Sequence, residues 1–149
     1  MTITTVYVAG PLSAAREFLV ERNRRSAEAF AAELWQAGFV PVVPHMLTRP
    51  YGGLVEEERF VRGVLYLMLQ CDAVILMPNW LESAGTRSEA RAALDAAKPI
   101  FDDARFLLAS GAPRWPFMCA PRIREQLEAF DRLKYGATDM HARRRTVCK

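Results

Sequence analysis

The sequence predicts an α/β fold, a central parallel sheet of about four to five strands between two layers of helices. Three observations predict it. Strand-like and helix-like runs alternate from residue 5 to residue 101. The run "AVILM" (73–77) has no polar alternation, which suits a strand covered on both faces. The strand-like runs feed loops marked by glycine or proline. A chain of 149 residues is long enough for one domain with a proper core. The expected organisation is a single domain over 1–136 and a basic tail over 137–149.

"TVYVAG" (5–10) is the first strand, stopped by Gly10-Pro11. A helix follows and ends near Ala37. Its Ala27, Phe30, Ala31 and Leu34 fall at helical spacing, and Gly38 suits the position after its end. "FVPVV" (39–43) is a second strand, and its prolines place it at or near an edge. "PHMLTRPYGG" (44–53) is expected to be a loop. Val61, Val64, Leu65, Met68 and Leu69 mark a second helix, before the strand at 73–77. After "NWLESAG" a third helix is expected from about Thr86 to Ala97, with Ala90, Ala93, Leu94 and Ala97 inward. "KPIF" (98–101) is a fourth strand. Residues 102–119 look irregular with room for a short helix, and Pro121 is expected to open a last helix ending before Gly136.

Composition excludes several classes. No apolar stretch approaches the ~20 residues that span a bilayer. "MTITTVYVAG" has no basic leader followed by an apolar run, so no signal peptide is expected and a cytoplasmic location is. Cys71, Cys119 and Cys148 are odd in number and far apart, which argues for reduced thiols over a disulfide framework or zinc site. No cluster has metal-ligand spacing, so neither metal nor cofactor is expected. The net charge is +3, but Arg143, Arg144, Arg145 and Lys149 in the tail exceed it. Outside "HARRRTVCK" (141–149) the chain therefore nets −1, and a nucleic-acid partner is not expected.

Parallel sheets of this class bind ligands beyond the carboxyl ends of their strands. Three loops should converge there: "AGPLS", "PH" and "PNWLESAG". The richest is "SAGTRSEA" (83–90). Thr86 and Glu89 match a capping box, in which Glu89 reaches back to the Thr86 N–H and only stabilises a helix start. The same glutamate, ionised beside the positive helix end, is also suited to attack a sugar anomeric carbon. Ser83 and the Gly85 N–H beside it suit a phosphate. Gly10 in the Gly10-Pro11-Leu12-Ser13 loop admits a close ligand or only makes a turn. Tyr7 packs in the core or sends its hydroxyl to a carboxylate. Asp72 lies at the starting end of its strand, awkward for a direct role. His45 follows the second strand at the correct edge, to contact a ligand or only to fill a polar loop. Trp80 stacks a base or covers the core. Glu58 and Arg62 read as surface charges.

Taken together, "VYVAGPLS", Asn23, "GFVPVVPH", "CDAVILMPNWLESAGTRSEARAA" and "KPIF" resemble the nucleoside 2-deoxyribosyltransferase-like superfamily. Its small phage and bacterial members and the nucleoside 5′-monophosphate N-hydrolases are the most similar branches. The resemblance covers roughly residues 5–101. It implies a flavodoxin- or Rossmann-like three-layer sandwich and cleavage of an N-glycosidic bond, by hydrolysis or base transfer. By resemblance Glu89 is the nucleophile and Tyr7 orients it. Ser83 and Gly85 hold a 5′-phosphate. Gly10, Pro11 and Ser13 belong to the first ligand loop, and His45 matches a histidine of some members. The implied partners are a small nucleoside or nucleotide and a second copy of the chain in a homodimer. One departure stands out. The family's acid on the helix before the third strand has no counterpart at Arg62-Gly63-Val64. Asp72 or a partner-chain residue is then the candidate acid, and a non-catalytic nucleotide-binding or sensing module is the alternative. "GTRSE" also resembles part of the motif of phosphoribohydrolases that release cytokinin bases, without its preceding proline and glycines.

Overall fold

The computed structural model describes residues 4–12, 14–110 and 116–136. Four strands form one parallel sheet: β1 (Thr5–Ala9), β2 (Val40–Val42), β3 (Ala73–Leu76) and β4 (Ile100–Phe101). Their order is β2-β1-β3-β4. Tyr7 lies level with Val42 on one side and Val74 on the other. β2 is an edge strand, as its prolines require, because Pro41 has no N–H to give a ladder. Val6, Tyr7, Val8, Ala9 and Val74 are wholly buried, which explains the unbroken apolar runs of the two inner strands.

Among the described residues six helices join or follow the strands. They are α1 (Glu17–Gln36), α2 (Pro44–Leu47), α3 (Glu57–Gln70), α4 (Ala84–Asp95), α5 (Ala104–Ser110) and α6 (Pro116–Tyr135). The crossover from β1 to β2 runs one way along the sheet, and those to β3 and β4 run the other way. Right-handed crossovers therefore put α1 on one face and α3 with α4 on the opposite face. Two helices end alike. After α1, the Gly38 N–H bonds Trp35 O and the Phe39 N–H bonds Leu34 O. After α4, the Ala97 N–H bonds Leu94 O and the Lys98 N–H bonds Ala93 O. Both are Schellman ends, which need a left-handed residue. Gly38 supplies it with φ 89°, and Ala97 is forced into it with φ 52°.

Four expectations are corrected. α4 spans Ala84–Asp95, not Thr86 to Ala97, because a different residue caps it. The segment 44–53 is not only loop: it holds α2 and a 3-10 turn over Arg49–Tyr51, each with proline near its start. Pro121 does not open the last helix but lies in the second turn of α6. The stretch 102–119 holds the short helix allowed for there, α5, but it is not otherwise irregular to its end, because α6 already starts at Pro116. Cys71 and Cys119 are free thiols. Among the described residues no helix is long and apolar enough to cross a membrane. The basic tail, Cys148 and Ser13 lie outside the described residues.

Candidate functional site

α4 begins with a cap, but not the one its sequence advertises. The residue before the helix is Ser83, in extended conformation, and its Oγ accepts the Thr86 N–H at 3.2 Å. Ser83 and Thr86 are both capping residues three positions apart, and the earlier one wins. Thr86 is thereby the third residue of the helix, and its own hydroxyl is buried without a partner. Glu89 falls in the second turn, out of reach of a capping box. That reading of Glu89 is overturned.

Glu89 instead meets the first strand. The Tyr7 hydroxyl donates to Glu89 Oε1 at 2.7 Å, across 82 residues of sequence. Tyr7 is wholly buried on β1, while Glu89 is only partly exposed. Burial raises the Glu89 pKa from an ordinary 4.5 to about 7, and the Tyr7 hydrogen bond pulls it down by less. The expectation that the helix dipole would keep Glu89 readily ionised is corrected: desolvation dominates, and the dipole effect fades beyond the first turn. The same carboxylate, with burial, raises the Tyr7 pKa, so Tyr7 remains a donor. Among the described residues Glu89 Oε2 has no hydrogen bond, and it is not a sealed atom. One oxygen is held and the other is free. That is the arrangement a carboxylate nucleophile or base requires.

A cleft of about 690 Å³ opens at the carboxyl edge of the sheet. Pro11, Arg22, Asn23, Met77, Asn79 and Ser83 contribute to its wall. Asn23 Nδ2 donates to Leu12 O at 3.2 Å and fixes the loop after β1. Tyr7 and Glu89 do not line the cleft. Ser83 links the two places, since it lines the cleft and caps the helix that carries Glu89.

The other expected residues separate into two groups. His45 is buried on α2, and its Nε2 sits 3.1 Å from Pro11 O. Burial lowers its pKa, so the neutral ring donates to that carbonyl and holds the first loop against the second. Gly10 is needed for packing: a Cβ there would meet Met77 Sδ at 2.5 Å, so the ends of β1 and β3 touch directly. Gly85 lies exposed in the first turn of α4, where an added Cβ would sit 3.8 Å from Ser83 Oγ, an ordinary contact. Trp80 does not line the cleft. It is buried in the 3-10 turn Trp80–Glu82 and closes the core. Asp72 is not brought to the site. Its Oδ2 accepts from Thr5 N at 2.7 Å and Thr5 Oγ1 at 2.9 Å, at the amino end of the sheet. The acid missing from Arg62-Gly63-Val64 is not replaced on α3 by Glu58, whose Oε1 is bound to Arg62 at 2.6 Å on the surface.

Two features escaped the sequence reading. Asn79, on the cleft wall, is left-handed with φ 64°; the turn signal "PN" was its only mark. Arg87, inside the "GTRSE" stretch, is buried. An arginine in an exposed-looking helix start gives no sign of that.

Comparison with known proteins follows this geometry. The chain belongs to the family described as a domain of unknown function, DUF4406, whose model matches residues 4–102. No curated protein sequence matches it. Its fold is that of a solved 2-deoxyribosyltransferase from the psychrotolerant bacterium Bacillus psychrosaccharolyticus, with a TM-score of 0.52 and 15% identity, over 73% of this chain and 82% of that one.

Proposed function

We propose that this DUF4406 chain cleaves the N-glycosidic bond of a nucleoside or nucleoside 5′-monophosphate, with Glu89 as the nucleophile. The observation that carries the reading is the buried Tyr7–Glu89 hydrogen bond, with Glu89 on a helix whose capping residue, Ser83, lines the cleft. The shared fold of a 2-deoxyribosyltransferase agrees with it. Glu89 Oε2 forms an ester to the anomeric carbon as the bond to the base breaks, and the base leaves with the bonding electron pair and takes its proton from solvent water. Water or a second base then attacks the same carbon and frees Glu89. Tyr7 holds Oε1, so that Oε2 alone points at the sugar. Ser83, with the first N–H groups of α4, receives the 5′-phosphate. A homodimer in the cytoplasm, with the neighbour adding to the site, belongs to the same reading.

The absence of an acid near Val64 supports a second reading, a nucleotide-sensing module that binds without turnover. One experiment separates them. The protein is incubated with nucleosides and 5′-monophosphates and free base is followed by chromatography. The expected result is base release that Glu89→Gln abolishes, by about 10³-fold or more, as for loss of a nucleophile. Release that survives the substitution overturns the nucleophile assignment. Binding without release by the unaltered protein selects the sensor.

A further inference from the structure

A buried cation with no carboxylate beside it needs a reason, because burial penalises its charge. Arg87 is only 7% exposed, and none of the ion pairs among the described residues involves it. Its partners are neutral and lie on different elements. One guanidinium nitrogen donates to Leu81 O in the Trp80–Glu82 turn. The guanidinium carbon lies 4.2 Å above the centre of the Phe130 ring on α6. The Arg87 backbone N–H also bonds Ser83 O at 3.0 Å. A lysine cannot do the same, because only the planar guanidinium stacks on a ring while donating at its edge.

The placement on α4 explains the division of labour. Residues 86, 90 and 93 are buried against the sheet. At 100° per residue, Glu89 falls on one flank of that stripe and Arg87 with Arg91 on the other. The first flank reaches Tyr7 and the second reaches α6, where Arg91 pairs with Asp131 at 2.8 Å. Leu81 precedes, by two positions, the serine that both lines the cleft and caps the helix.

We propose that Arg87 is a positioning residue: it ties the Trp80–Ser83 turn to Phe130, so that the last helix sets where Ser83 stands at the cleft. This rests on the glycosidic reading for its catalytic consequence but not for its structural one. Two variants test it, Arg87→Met, which keeps the stem and loses the donors, and Phe130→Leu, which removes the ring alone. Arg87→Lys replaces the first if that fails to fold.

The first readout is amide hydrogen exchange on the full chain. The expected result is exchange about tenfold faster over residues 79–86 in both variants, with β1 and β3 unchanged. Uniform acceleration along the chain, or none over 79–86, overturns the proposal. The second readout is steady-state kinetics on the 5′-monophosphate that yields base. KM should rise about tenfold with kcat and the acid limb of the pH profile unmoved. A fall in kcat at constant KM, or a shifted acid limb, overturns the catalytic half. Absence of turnover in the unaltered protein refutes the glycosidic reading instead, and the exchange measurement still decides the role of Arg87.

Discussion

A carboxyl that titrates near pH 7 makes two properties of this protein depend on one proton. On the proposed glycosidic reading Glu89 attacks in its ionised form, so activity should rise with pH through about 7, where Glu89 loses its proton. The Tyr7 hydrogen bond lowers that pKa. Tyr7→Phe should therefore move the acid limb to higher pH, and a pH–rate profile checks this. Stability runs the opposite way. The folded pKa lies above the ordinary 4.5, so between these values the folded chain holds more protons than the unfolded one. This contribution is least unfavourable below pH 4.5 and worsens as pH rises to about 7. Above that the ionised group costs about 3 kcal/mol, from 1.36 kcal/mol per pKa unit. Glu89→Gln keeps an oxygen for Tyr7 and removes the charge. Its melting temperature should exceed that of the unaltered protein at pH 8 and match it near pH 4.

At the level of elements, α4 is well started and poorly stopped. Ser83 caps it, whereas its Schellman end places Ala97 in left-handed backbone. That conformation costs a residue with a Cβ about 1–2 kcal/mol, and the equivalent position after α1 is already glycine. Ala97→Gly should raise the melting temperature by roughly 2–4 °C for a gain of about 1 kcal/mol. The same helix shows what the sequence made legible. Its inward Ala90, Ala93 and Leu94 were evident from their spacing, though Ala97, expected with them, lies past the helix end and is exposed; the inner strands were evident from their unbroken apolar runs. Its start was not, because Ser83 and Thr86 are equally good caps and only tertiary packing chose between them. The partner of Glu89 came from resemblance, since Tyr7 within an apolar strand looks like core. For Gly10 and Trp80 the sequence left two roles open for one reason: packing inside a core and contact with a ligand call for the same residue types. Pro121 misled because a proline marks a helix start more often than an interior turn.

For the whole molecule, the two ends of the sheet have separate duties. At the amino end Asp72 clamps Thr5 and joins β1 to β3. At the carboxyl end lie the loops, the cleft and Ser83. Asp72→Asn weakens the clamp, since its charge-assisted bonds become neutral ones. It should lower the denaturation midpoint while leaving the pH–rate profile in place. Chemical denaturation and kinetics on the same sample check both halves.

The middle position of β1 has a kinetic consequence. The strand made first on the ribosome pairs with residues some thirty-five and sixty-seven positions later, Thr5 with Val40 and Val6 with Ala73. Loops of that length close slowly, and the growing chain cannot close the second until β3 has emerged. Tyr7 waits longer still, for a glutamate 82 residues on. No fragment that ends before α4 holds the raised carboxyl, and the proton bound near neutrality arrives only with the last of these contacts. Proton uptake by a refolding sample at pH 6 would time that contact directly.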